Sequence, residues 1–144
     1  MTPKSIEDFF EKYAAAFSQG DVEKISGLWK LPAFISARDQ SAYLTDAQAF
    51  RKNTEALIAF YAEQGLARAR KTVVSIDELC EDLAVVTTWD ECFDASDHII
   101  TQWRHAYLVR ETSAGIRAIA AVADSELNAW SARGTPLCSR DSPK

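Results

Sequence analysis

The chain is sparing with residues that staple or interrupt a fold: three cysteines, four prolines and five glycines in 144 positions. Cys80, Cys92 and Cys138 are odd in number and far apart. That excludes a closed disulfide framework and any spaced metal or redox motif, and it suits free thiols in a reducing compartment. The two histidines, His98 and His105, form no ligand set with nearby carboxylates, so no metal is expected. No apolar run reaches the roughly 18 residues of a membrane span. Positive charge is in the minority, with 16 Lys and Arg against 21 Asp and Glu and a net charge of −5. This acidic balance argues against nucleic acid and anionic membranes as partners. The opening residues MTPKSIEDFF put acids where a secretory signal has its apolar core, so a cytoplasmic location is expected. There is no phosphate-cradling glycine loop and no serine or cysteine elbow, and no cofactor is expected.

What is present is an ordinary globular mixture, 47% hydrophobic and 26% charged, enough for one domain with a real core. That domain is expected over residues 1–133, followed by a polar tail over 134–144. Ser5 and Asp8 resemble a capping box, and Ile6, Phe9, Phe10, Tyr13, Ala14 and Phe17 recur at helical spacing up to Gly20. Asp21 caps a second, shorter helix through Trp29, which Pro32 ends. Residues 33–37 and 41–44 read as short strands around an Arg38-Asp39-Gln40 turn. Thr45 and Gln48 open a third helix that runs to about Glu63.

The period then changes from helical to alternating. Residues 66–79, 83–93, 98–111 and 116–124 read as four consecutive antiparallel strands joined by short turns. The stretch His98–Arg110 is the centre of this sheet. Its Thr101, Trp103, His105, Tyr107 and Val109 share one face, which reads as the lining of a hollow. If Asp94–Asp97 is a tight hairpin loop, Thr88 faces Trp103, Val86 faces His105 and Asp90 faces Thr101. All lie on the inner face, with Asp90 about 13 Å from His105. Trp29, Phe34, Thr88, Trp103 and Tyr107 are expected as pocket lining. On the last strand either Ile119 or Val122 points inward, and Ile119 is taken as the lining residue. His105 can donate a hydrogen bond or take a proton near neutral pH.

Tyr13-Ala14-Ala15-Ala16-Phe17, Gly20-Asp21, Leu28-Trp29 and Pro32 resemble the NTF2-like superfamily, in its SnoaL-like and ketosteroid-isomerase-like branch, over about residues 5–125. The resemblance implies an α+β cone, a curved antiparallel sheet wrapped around three N-terminal helices, that pairs as a homodimer. In the isomerases of that branch, a helix-one tyrosine and a central-strand acid donate hydrogen bonds to an enolate, and a first-strand carboxylate moves the proton. Tyr13 matches the tyrosine, His105 falls near the acid, and Ala37 stands where the base would be. Three functions follow as expectations. The first is binding or sensing of a small, largely apolar molecule without cofactor. The second is lyase or isomerase chemistry on a carbonyl compound, with Tyr13 and His105 as donors and Asp90 moving the proton. The third is a dimerising assembly module whose hollow its own side chains fill.

Overall fold

The computed structural model describes residues 1–137; Cys138 and most of the tail expected over 134–144 lie outside the described residues. The chain runs through α1 (Pro3–Gln19), α2 (Val22–Gly27), β1 (Trp29–Ser36), a short 3₁₀ turn (Arg38–Gln40), β2 (Ala42–Leu44) and α3 (Ala47–Glu63). It continues through β3 (Arg68–Cys80), β4 (Leu83–Phe93), β5 (Ile99–Thr112), β6 (Gly115–Val122) and α4 (Asp124–Ala132). The fold is α+β. A curved six-stranded sheet in the order β2-β1-β6-β5-β4-β3 covers the N-terminal helices and remains open at its edges. One pairing is not antiparallel: β1 runs parallel to β6. Among the described residues no helix is long and apolar enough to cross a membrane.

The cap of helix α1 lies three residues before the expected one. Thr2 and Ser5 exchange side-chain and backbone hydrogen bonds, and Pro3 fills the first turn, where its missing N–H costs nothing. Gly20 ends the helix at φ 63, a left-handed conformation that glycine adopts without strain. The stripe Ile6, Phe9, Phe10, Tyr13, Ala16 and Phe17 is buried and forms the floor of the core. Helix α3 is capped by Asp46, which accepts from the Ala49 amide at 2.8 Å, not by Thr45.

Trp29 is the first residue of β1, not the end of a helix. Pro32 sits where the β1–β6 register shifts between Trp29 and Phe34, so its missing N–H breaks no ladder bond. On β4 and β5, Ala84, Val86, Thr88, Asp90 and Cys92, and Trp103, His105, Tyr107 and Val109, are buried in strict alternation. Two bulges in β3, at Val74 and Leu79, each add an unpaired residue, and both project outward, 51% and 59% exposed.

The fourth helix was not expected. The stretch after Ser125 reads as polar, yet α4 buries Glu126 and Trp130 against the sheet and α3.

Candidate functional site

Strands β3, β4 and β5 aim polar side chains at the same point of the inner face. Lys71 stands directly opposite Asp90, and Asp90 directly opposite Trp103. Thr88 is opposite His105. The expected register, with Asp90 facing Thr101, is therefore off by two residues, for two identifiable reasons. The β4–β5 connection is closed by Asp94 N–H bonding the His98 carbonyl, which makes the loop one residue longer on the β5 side, with Asp97 at φ 65. Ile100 is a further extra residue, between the Phe93–Ile99 and Cys92–Thr101 pairs. The consequence is large: Asp90 Oδ2 lies 4.0 Å from His105 Nδ1, not about 13 Å away.

Asp90 is fully engaged. Its Oδ1 accepts from Thr88 Oγ1 at 2.6 Å, and its Oδ2 from Lys71 Nζ at 2.5 Å. Lys71 Nζ also donates to the Tyr107 hydroxyl at 2.6 Å and stands 5.0 Å from the centres of the Tyr13 and Tyr107 rings. Tyr13 in turn accepts from Trp29 Nε1 at 2.8 Å, and its ring lies 5.6 Å from that of Tyr107. Hydrogen bonds thus run from Tyr107 through Lys71 and Asp90 to Thr88, with the Trp29–Tyr13 pair packed against Tyr107. Trp103 Nε1 donates to His105 Nδ1 at 3.0 Å, so the imidazole carries its proton on Nε2.

The charge states follow from burial and neighbours. Burial pulls the Lys71 ammonium down, but Asp90 above all outweighs it and leaves Lys71 above its ordinary value, a firm cation. Burial, then the Lys71 charge, pushes His105 down to about 4 against the pull of Asp90. The imidazole is therefore neutral at physiological pH and does not titrate there. Burial first, and then Tyr107 for Tyr13 and Asp90 for Tyr107, holds both phenols well above the usual value. The site offers one ammonium and neutral hydroxyl donors beside one carboxylate.

A second cluster adjoins the first. Glu126 Oε2 accepts from the Tyr61 hydroxyl in a very short contact and from Trp130 Nε1 at 3.2 Å. Burial lifts this carboxyl to about 6. Burial, then Glu126, pushes the Cys92 thiol up to about 12. Between the clusters lies a cavity of about 20 Å³, walled by Phe17, Tyr61, Lys71, Asp90, Cys92 and Trp103 among others. That is room for a single water.

Of the residues singled out in the sequence, Tyr13, Thr88, Asp90, Trp103, His105, Tyr107 and Trp29 converge. Phe34 does not: it is 44% exposed on the opposite face of the sheet. Ile119 does not either. It is the extra residue of a bulge between Ala118, opposite Val109, and Ala120, opposite Leu108. Ile116, Ala118 and Ala121 take the inward positions, and Val122 points outward. Lys71 was missed. Its signal was the alternation of Ala69, Lys71 and Val73, but an unbulged ladder continued from the Cys80–Leu83 pair would set Val73 opposite Asp90, and the Leu79 and Val74 bulges together bring Lys71 there. Among the described residues no group of three or more His, Cys, Asp or Glu side chains is placed to hold a metal ion.

A family model described as NTF2-like protein (DUF6841) matches residues 4–126. No curated protein matches the chain in sequence. Among solved structures, an NTF2-like protein of unknown function from Shewanella oneidensis superposes with a TM-score of 0.68 at 12% identity, over 85% of this chain and 98% of that one. A domain of unknown function with a cystatin-like fold from Nostoc punctiforme gives 0.67 at 12% identity, over 85% and 77%. A ketosteroid isomerase-like protein from Erwinia carotovora gives 0.60 at 13% identity, over 83% and 92%. At these identities the likeness is one of fold.

Proposed function

Because the chain belongs to the NTF2-like proteins of family DUF6841, we propose that it is a binding domain for a small, planar, largely apolar molecule with one polar end, held without a cofactor. The observation that carries this reading is the buried Lys71–Asp90 pair, its side chains 8% and 4% exposed, at one end of an aromatic hollow. Withdrawing two charges from water costs several kcal/mol each, and their mutual attraction only roughly offsets it. A scaffold gains nothing from this over a well-packed apolar core, whereas a binding site gains a directional polar anchor among apolar walls. In the closed conformation the hollow admits one water, so a ligand enters only when part of the wall moves.

The test is a thermal-shift screen of planar aryl ketones and aryl carboxylates on wild type and on Tyr107→Phe. A ligand that binds the native state alone raises the melting temperature by mass action. The expected result is a shift in wild type that shrinks when the hydroxyl bonded to Lys71 is removed. A folded wild type that responds to no compound overturns the reading.

A second reading, proton transfer, is favoured by one observation: Asp90 lies beside both His105 and Lys71. Asp90 would then be the base, with Lys71 and Tyr107 as donors to a developing enolate. Tyr13 would hold Tyr107 in place rather than donate directly. Deuterium uptake next to the carbonyl of a bound ketone, lost in Asp90→Asn, separates this reading from simple binding.

The proposed partner is a second copy of the chain. Phe34 and Tyr43 are paired neighbours on the outer sheet face, with Val122 beside them, and all three are exposed. The cytoplasm is the proposed location, consistent with the free thiols of Cys80 and Cys92.

A further inference from the structure

We propose that α4 is a displaceable plug seated in the ligand's own slot, and that the slot takes a planar aryl carboxylic acid in place of Trp130 and Glu126. This rests on the binding reading above and names both its ligand class and its gate.

The argument begins with what α4 puts into the hollow. Trp130 is fully buried. Its ring meets Phe60 edge-on at 5.1 Å and lies 5.9 Å from both Tyr61 and Trp103. One turn earlier, Glu126 delivers a carboxyl to the Tyr61 hydroxyl. The plug therefore presents a bicyclic aromatic ring and a carboxyl side by side, in a slot whose aromatic walls and hydroxyl donor suit both. Tyr61 and Trp103 are also walls of the small cavity, as are Lys71 and Asp90. Withdrawing Trp130 and Glu126 would merge slot and cavity and open the Lys71–Asp90 anchor to an incoming molecule.

The attachments of α4 suit a moving part. No side chain caps its N-terminus, and Asp124 leaves one buried carboxylate oxygen with no partner. The outer clasp is a hydrogen bond from Arg38 to Asn128 at 2.5 Å, and Arg38 is held at φ 47, a conformation uncommon for a residue with a side chain. On the far side Arg133 donates to the Ile100 carbonyl at 3.2 Å. Lids are drawn from the low-stability end of a structure. The seat is also charge-sensitive. Glu126 is faced by Tyr61 from α3, Lys71 from β3, Asp90 and Cys92 from β4, and Tyr107 from β5. Burial lifts its carboxyl to about 6, so rising pH loosens the plug as the carboxyl ionises.

The test uses amide hydrogen exchange on the full chain, with indole-3-acetate as the probe. In wild type, α4 amides are expected to exchange through an opening that leaves β4 and β5 protected. That opening should become more frequent as pH rises through 6, and Glu126→Gln should abolish the pH dependence. Indole-3-acetate should speed α4 exchange while protecting β4 and β5. It should bind Trp130→Ala more tightly than wild type, by about tenfold if the slot is open about a tenth of the time. Exchange of α4 only together with β4 and β5, or protection of α4 by the probe, overturns the plug. If Trp130→Ala is unfolded, the wild-type exchange result alone decides. If indole-3-acetate binds neither protein while aryl ketones still shift wild type through Tyr107, the plug's ligand class falls and the binding reading stands. If nothing binds either protein, both fall.

Discussion

Two buried groups, His105 and Glu126, respond to acid in opposite directions. His105 is held down at about 4 in the native protein, against about 6.5 in an unfolded chain. As pH falls through that window the unfolded chain takes up a proton that the native one refuses. Native stability therefore drops, by about 3 kcal/mol in all. Glu126 titrates near 6 in the native protein and at 4.5 ordinarily. As pH falls through its window the native protein takes up the proton first and gains about 2 kcal/mol. Between 4.5 and 6 the two effects cancel, and wild type should show a nearly flat contribution from them there. Glu126→Gln keeps the size of the side chain and cannot ionise. The unfolding free energy of the variant minus that of wild type, from urea titrations, should rise by about 2 kcal/mol between about pH 4 and pH 7.5. Taking the difference removes His105 and the surface carboxylates, which both proteins share. A difference that stays constant within about 0.5 kcal/mol would refute the argument, because Glu126 would then titrate alike folded and unfolded. The 2 kcal/mol is also a ceiling: an α4 that undocks at neutral pH hydrates the carboxylate and relieves the penalty.

Tyr13→Phe leaves the buried Trp29 Nε1–H without its acceptor and should cost about 1–3 kcal/mol in urea unfolding. Lys71→Met strands the Asp90 carboxylate and should cost about 3–5 kcal/mol, whereas Lys71→Met with Asp90→Leu should recover most of that loss; the same titrations measure both. In a Cys138→Ser background a disulfide reagent should label exposed Cys80 at once and Cys92 only on unfolding. Burial keeps the latter a thiol, with its ionisation pushed up to about 12.

Alternation and helical spacing carried the architecture because they are local signals. Leu83–Phe93 has the same bounds in sequence pattern and structure, and the stripe from Ile6 to Phe17 is buried as its spacing implies. What escaped depends on single extra residues. Bulges at Leu79 and Val74 together decide that Lys71 meets Asp90, and the longer β4–β5 loop with the Ile100 bulge decides that Asp90 stands two residues, not four, from the one opposite His105. No periodicity records a bulge, and a one-residue slip turns a side chain to the other face. Trp29 reads as helical because Leu28 and Trp29 continue the spacing of Ile25, yet pairing with Ala118 claims it for the sheet. Helix α4 was illegible because Leu127 and Trp130 are the only large apolar residues in a largely polar run; its place is set by the slot that Trp130 fills, a tertiary fact. The exposed position of Phe34 has a similar origin: it follows from pairing with Tyr43 and Ala120, not from its hydrophobicity.

The polar interior also constrains how any ligand must bind. Asp90, Lys71, Tyr107, Tyr13 and His105 already have their partners within the protein. A polar end reaching Lys71 therefore exchanges one hydrogen bond for another and gains little net energy, since typical exchanges are worth about 0.5–1.5 kcal/mol. Under the proposed binding, affinity would have to come from the aromatic walls of Phe60, Tyr61 and Trp103, where burying a ring adds apolar area and favourable ring contacts. Selectivity has the opposite source. An analogue that fills the walls but lacks an acceptor would displace the Lys71–Tyr107 bond without replacing it, leaving a buried ammonium short of a partner. Such groups cost more to strand than they return when satisfied. Under the binding proposal, such a site would bind modestly and discriminate sharply between shape-matched compounds that differ by one oxygen.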